Sequence, residues 1–381
     1  MGIFNNHPKN KHVHVAGGKK KKEPEIRPDI QVMMLGAKRA GKTCVLASMI
    51  NQFDGNARDT DFVLKKVGGV KELDDALQKM KDYFKMGCRI NEVLNVDEND
   101  ANATSGFRGY DLELKIQNKT TVKPRRIRFV DCSGEWINDY KNEENMNEYI
   151  EHSDVIIIAI DSILLMEEDG RYNKLNHIAH VTNFIKNNMD PGDVSNNRKM
   201  ILFVPLKCEK YFHENEDKQS YYYGKRLNKL NQRIKEEYSE LLAFFQKPAN
   251  KPFFTVAILP ILTLGGIEFD EFTQESDDAF TLKYVRYRFC EPNEFAPKYC
   301  EQPLLYTLMF EQKKIDTLYR ENSFAAKNKN KKLWAVILKE WFADKRNQVK
   351  DSDYIDELGK LKKYLKRSGD GFEIIQDTLG F

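Results

Sequence analysis

Gly36-Ala37-Lys38-Arg39-Ala40-Gly41-Lys42-Thr43 is the stretch from which the rest of the sequence is read. It fits the pattern GxxxxGK[ST]. Before it, residues 29–35 (DIQVMML) form an apolar run without alternation, as expected of a strand buried on both faces. After it, Leu46, Met49 and Ile50 are spaced as on a helix over 43–53. A glycine-rich turn in that context lets backbone N–H groups wrap an anion, and the helix dipole adds positive potential. Lys42 supplies a charge for the β- and γ-phosphates, and the Thr43 hydroxyl a ligand for Mg²⁺. These eight residues and Cys44 are the candidate phosphate-binding set.

A second signal lies at Arg126-Ile127-Arg128-Phe129-Val130-Asp131-Cys132-Ser133-Gly134-Glu135. An apolar strand ends in an acid and runs into DxxG. Asp131 is expected to hold Mg²⁺, and the Gly134 N–H to meet the γ-phosphate, so that the following segment senses its presence. A plain strand-end aspartate capping a helix is the structural alternative.

The spacing of apolar residues places the other elements. Helices are expected over 70–86, 138–151, 172–188 and 224–245. Strands are expected over 110–117, 127–131, 154–161 (DVIIIAID), 200–205 (MILFVP) and 253–262 (FFTVAILPIL). Strands alternating with helices predict an α/β fold, a three-layer sandwich around a mostly parallel sheet, with one antiparallel pair between 110–117 and 125–131. Residues 91–109 and 263–303 read as loops, and the tail from Leu304 as largely helical. That tail carries two apolar stripes, Trp334, Ile337, Leu338, Trp341, Phe342 and Tyr354, Ile355, Leu358, Leu361, Leu365, expected to pack on the body.

In order and spacing these motifs resemble those of P-loop GTPases of the translation-factor-related (TRAFAC) class, over about residues 29–266. The family's base-reading motif is [NT]KxD, and here Leu206-Lys207-Cys208-Glu209 stands in its place. The resemblance implies Lys207 along the base plane and Glu209 as acceptor for guanine. Leu206 departs from the family's Asn or Thr, and Glu209 reaches one methylene further than Asp. The final base-side loop would fall at Thr263-Leu264-Gly265-Gly266, with Leu264 beside the base. A switch threonine on Mg²⁺ is assigned to Thr104, with Thr60 as the alternative. Glu135 occupies the place of the water-orienting glutamine, so Lys42, Thr104 and Glu135 form the candidate catalytic set. A carboxylate there repels the γ-phosphate, and hydrolysis is expected to be slow or partner-dependent. Arg39 and Arg108 are candidate arginine fingers. The matching pieces GAKRAGKT, DCSGE, VPLKCEKY, LPILTLGG and YCEQPLL further resemble bacterial double-GTPase-like proteins of conflict and defence systems. That implies a switch cycling between GTP and GDP, acting with co-encoded protein partners. An ATP-using P-loop enzyme and a non-hydrolysing adaptor are the competing readings.

The 381 residues are expected to divide into a basic arm (1–28), a P-loop domain (29–266) with a helical insertion near 52–105, and a C-terminal extension (267–381). Net charge is only +3, but residues 1–28 hold seven basic and two acidic groups, a surplus of +5. The arm reads as a solvated tail, with nucleic-acid or anionic-membrane contact the less favoured reading. Six scattered cysteines without a CxxC pair exclude a disulfide-stapled scaffold and point to a reduced, cytoplasmic setting. His177 and His180 lack a third ligand and are discounted as a metal site. The oligomeric state is not legible.

Overall fold

The computed structural model describes residues 29–69, 71–85, 93–97, 107–117, 119, 123–132, 143–189, 198–219, 221, 224–275, 278–291, 293–327 and 352–381. The arm, Thr104, Gly134, Glu135 and the Trp334–Phe342 stripe lie outside the described residues.

Strand β1 (Ile30–Gly36) is buried at all seven positions, and β6 (Val155–Asp161) and β7 (Lys199–Leu206) are buried throughout. Continuous apolar runs of this kind form only where helices cover both faces of a sheet. The eight-stranded sheet has the order β11-β8-β7-β6-β1-β5-β4-β2. Five strands are parallel: β8 (Phe254–Ile258), β7, β6, β1 and β5 (Arg125–Cys132). β4 (Phe107–Ile116) runs antiparallel to β5, as its alternating pattern predicts.

One face carries α1 (Lys42–Asn56), α9 (Gln302–Lys327) and α10 (Ser352–Leu361). Leu304, Leu305, Leu308 and Phe310 share a core there with Val32, Leu46 and Phe53. The other face carries α3 (Glu143–His152), α5 (Ile178–Asn188), α7 (Arg226–Glu237) and α8 (Ser239–Gln246), with Ile150, Ile185, Leu230 and Phe245 in its core.

Several elements differ from the sequence reading. Among the described residues of the stretch read as a helical insertion, α1 runs on to Asn56, a 3-10 turn follows at Ala57–Asp59, and α2 (Lys71–Lys85) is the one further helix. β2 (Phe62–Gly68) joins the sheet as its edge, pairing antiparallel with β4, and β3 (Val93–Asp97) lies in a second sheet. The segment read as loop holds β9 (Ile267–Glu275) and β10 (Asp278–Phe289), which pair with each other, β10 pairing with β3 as well. Val285 to Phe289 alternate aromatic or apolar residues with arginines, a period-two signal outweighed by the surrounding prolines and acids. The helix read over 224–245 breaks at Tyr238, whose backbone leaves helical values so that its ring packs on Phe203. The tail is not wholly helical either: β11 (Glu373–Gln376) pairs antiparallel with β8. On α10, Tyr354, Leu358 and Leu361 are buried as the stripe predicts, while Ile355 is exposed.

The core shows no break at residue 266. α9 closes the sandwich beside α1, and its buried Lys314 reaches Asp154 Oδ1 at 2.6 Å. The other oxygen of Asp154 accepts the Gln31 N–H at 3.1 Å, which ties the helix to the edge where β1 and β6 begin.

Candidate functional site

The candidate residues gather where β1, β5, β6 and β7 end at their carboxyl edges, the edge at which parallel α/β sheets bind ligands. β1 ends at Gly36, with φ 141°; a Cβ there would stand 2.4 Å from the Ala159 carbonyl oxygen on the neighbouring strand, so the position admits only glycine. The chain then turns through Arg39 (φ 65°) and Gly41 (φ 105°) into α1. Ala37 and Ala40 are buried beneath the turn, and Lys38 is exposed.

Lys42 is 6% exposed. Its Nζ donates to the carbonyls of Gly36 (3.1 Å) and Ala37 (3.0 Å) and lies 3.9 Å from Asp131 Oδ1. Burial holds its pKa below the ordinary lysine value, against the pull of Asp131. Asp131 is fully buried at the end of β5, in register with Met34. The Thr43 hydroxyl donates to Asp131 Oδ2 at 3.0 Å. Two hard oxygen donors, one charged, thus face each other beside a lysine, a donor set that fits Mg²⁺. Burial pushes the thiols of Cys44 and Cys132 up, so both remain protonated.

Thr60, the alternative switch threonine, is local structure. Its hydroxyl donates to the Ala57 carbonyl (2.8 Å) and accepts the Phe62 N–H (3.2 Å). It follows the far end of α1, about 22 Å from Lys42 at 1.5 Å per residue. Arg108, a candidate finger, turns to α2 and pairs with Glu72 at 2.8 Å.

The base-side residues stand next to this turn. A Cβ on Gly41 would lie 3.7 Å from Leu206 Cδ1, and the Ser48 hydroxyl donates to the Thr263 carbonyl at 3.3 Å. Lys207 has φ 57° and forms an ion pair with Asp161 and a hydrogen bond with the Tyr287 hydroxyl. Burial opposes its charge, but these two partners outweigh burial and raise its pKa above the ordinary lysine value. The other Asp161 oxygen caps α4 (Ser162–Met166), accepting the N–H groups of Ile163 (3.1 Å) and Leu164 (3.2 Å).

Glu209 is 4% exposed and opens α6 (Glu209–Glu216). Its Oε1 accepts the backbone N–H groups of Thr263 (3.1 Å), Leu264 (3.1 Å) and Gly265 (3.4 Å). Burial pushes its pKa up, partly offset by the Leu264 and Gly265 N–H groups. Glu209 therefore shapes the final loop through Oε1. Gly265, with φ 84°, cannot carry a side chain, since a Cβ would fall 2.1 Å from the Ala296 carbonyl oxygen.

The sequence reading brought together Lys42, Thr43, Asp131, Lys207, Glu209 and Leu264, and missed Asp161 and Tyr287. The strand-end acid of DVIIIAID was a visible signal for Asp161. Tyr287 carries none, because its approach to Lys207 spans eighty residues of sequence and depends on how β10 docks.

Residues 30–240, more than half of the chain, match the family described as Double-GTPase 2. The chain belongs to that family and is, at that level, a GTP-binding protein with a P-loop α/β fold. Among solved structures it is similar to the S. cerevisiae Ski7 GTPase-like domain bound to GDP and inorganic phosphate, at 16% identity over 61% of this chain and 43% of that one, with TM-score 0.30. The GTP-bound form of the same domain gives 15% identity, 61% and 42% coverage, and TM-score 0.27. The chain thus spans less than half the length of those structures. No curated protein matches the chain. Among the described residues, no helix is long and apolar enough to cross a membrane.

Proposed function

We propose that the protein is a GTP-binding switch that hydrolyses GTP slowly and signals to protein partners. The observation that carries this reading is the convergence, at one edge of the sheet, of Lys42, Thr43 and Asp131 with Lys207, Glu209 and the loop 263–265. The phosphates would lie against residues 36–43. Lys42 Nζ exchanges the Gly36 and Ala37 carbonyls for phosphate oxygens, a stronger, charge-assisted pairing. Thr43 and Asp131 would hold Mg²⁺, which when bound neutralises charge on the β- and γ-phosphates. Thr104 would be its further ligand in the GTP state, and Gly134 would report the γ-phosphate to the segment after it. Glu135, a carboxylate where a neutral water-orienting group is usual, is the reason for slow hydrolysis. A cytoplasmic protein partner, in a bacterial defence setting, follows from the family resemblance.

The base would sit between Lys207 and the 263–265 loop, with Glu209 Oε2 accepting from guanine. Competition of GTP and ATP against a fluorescent GDP analogue tests this, with GTP expected to displace it at least tenfold better. Equal displacement, unaltered in Glu209→Ala, removes the guanine reading. Single-turnover phosphate release separates a slow GTPase from a silent adaptor. One observation favours ATP as a second reading: Oε1 of Glu209 is already held by three backbone donors, so the carboxylate cannot offer guanine both oxygens.

A further inference from the structure

Three donor atoms of different chemistry converge beside the base-side loop. His213 sits on α6, one turn after Glu209; Glu268 stands near the start of β9; Cys290 follows β10. His213 Nδ1 lies 3.1 Å from Glu268 Oε2 and 3.7 Å from Cys290 Sγ, and all three atoms lie within 4.8 Å of one another. Among the described residues this is the one group of three such donors. A tetrahedral zinc ion, with bonds of about 2.0–2.2 Å to nitrogen and oxygen and 2.3 Å to sulfur, separates N from O by roughly 3.4 Å and N from S by roughly 3.6 Å. The observed N···O and N···S spacings of 3.1 and 3.7 Å lie within about 0.3 Å of those two edges.

A hydrogen-bonded cluster satisfies these groups less well. Nδ1 carries at most one proton: while it donates to Glu268 it cannot also accept from the Cys290 thiol, so one of the two contacts lacks a hydrogen bond. Glu268 is also oriented from behind, as metal-binding carboxylates are. Its other oxygen, Oε1, accepts from Arg288 Nε (2.9 Å) and Nη2 (2.6 Å), which turns Oε2 toward His213. Glu268 is largely buried, while His213 and Cys290 remain partly open to solvent, which gives an ion a way in.

We propose that His213, Glu268 and Cys290 bind a divalent transition-metal ion of the zinc type, with a water completing the tetrahedron. The ion joins α6, which begins with Glu209, to β9 and to Cys290, whose N–H is hydrogen-bonded to the Gly266 carbonyl (3.0 Å). It therefore clamps the two walls of the base-side loop. The proposal does not rest on which nucleotide binds there.

Cobalt(II) titration of the full chain tests it. The expected result is a thiolate-to-cobalt charge-transfer band that saturates at one ion per chain and disappears in Cys290→Ser. His213→Gln should weaken binding at least tenfold. An ion at Thr43 and Asp131 has no thiolate ligand and gives no such band. Zinc should also slow alkylation of Cys290 at least tenfold, read by mass spectrometry of the native chain. No band in the wild type, a band unchanged in Cys290→Ser, or alkylation of Cys290 indifferent to zinc overturns the proposal. Unchanged circular dichroism of both variants establishes that they are folded.

Discussion

Lys42 and Gly36 do different work at the same turn, and substitutions separate them. Lys42→Ala removes the charge-assisted hydrogen bonds to phosphate, at about 1.5–3 kcal/mol for each bond to a charged group. Nucleotide affinity is expected to fall about 100-fold or more by calorimetry. The buried Asp131 also loses the Lys42 cation, so some stability is expected to be lost as well, and affinity is compared at a temperature where circular dichroism shows the variant folded. Unchanged affinity would remove the phosphate-loop assignment. Gly36→Ala should act on folding instead. It combines a disfavoured φ of 141° with a clash against the Ala159 backbone, and a loss of about 2 kcal/mol or more is expected in urea unfolding. A variant as stable as the wild type would mean that the turn relaxes freely.

Between elements, Glu209 is the joint. Its carboxylate binds the start of α6 to the loop after β8 through three backbone donors, two of them wholly buried. Glu209→Ala leaves those N–H groups without an acceptor and should cost about 2–4 kcal/mol, since each buried unsatisfied group costs about 1–3. Glu209→Gln retains a side-chain oxygen and should recover at least half of the loss in the same denaturation experiment. If both variants match the wild type in stability, the latch is absent and the carboxylate is committed to a ligand alone. LKCE indicated an acid near the base. It did not indicate that one oxygen is occupied by a loop 54–56 residues away, because such contacts are set by the packing of α6 against the strand ends. β9 and β10 were hidden for a related reason: their alternation is short, and β3, with which β10 pairs, is remote in sequence.

For the whole molecule, α9 is part of the nucleotide-binding body. Lys314 is 4% exposed on its side chain and pairs with Asp154 at 2.6 Å, with Glu311 at 3.9 Å. Lys314→Met leaves Asp154 and the buried Glu311 without that cation, and should cost about 3–5 kcal/mol, the usual penalty for orphaning a buried charge. A chain ending at residue 266 lacks Leu304, Leu305, Leu308 and Phe310 from the core. It should bind hydrophobic dye and unfold without cooperativity. A cooperative transition in that truncation would support a domain boundary at residue 266.

Apolar runs, glycine spacing and strand-end acids by themselves determined the parallel sheet, the phosphate turn and the acid facing Thr43. Each is a local pattern, with a period or a spacing readable within about ten residues. The tertiary structure alone decided that Glu209 holds a loop, that Tyr287 meets Lys207, that α9 closes the core, and that His213, Glu268 and Cys290 meet. Those contacts join segments tens to hundreds of residues apart. Their geometry comes from how helices and hairpins dock on the sheet, which no local pattern encodes.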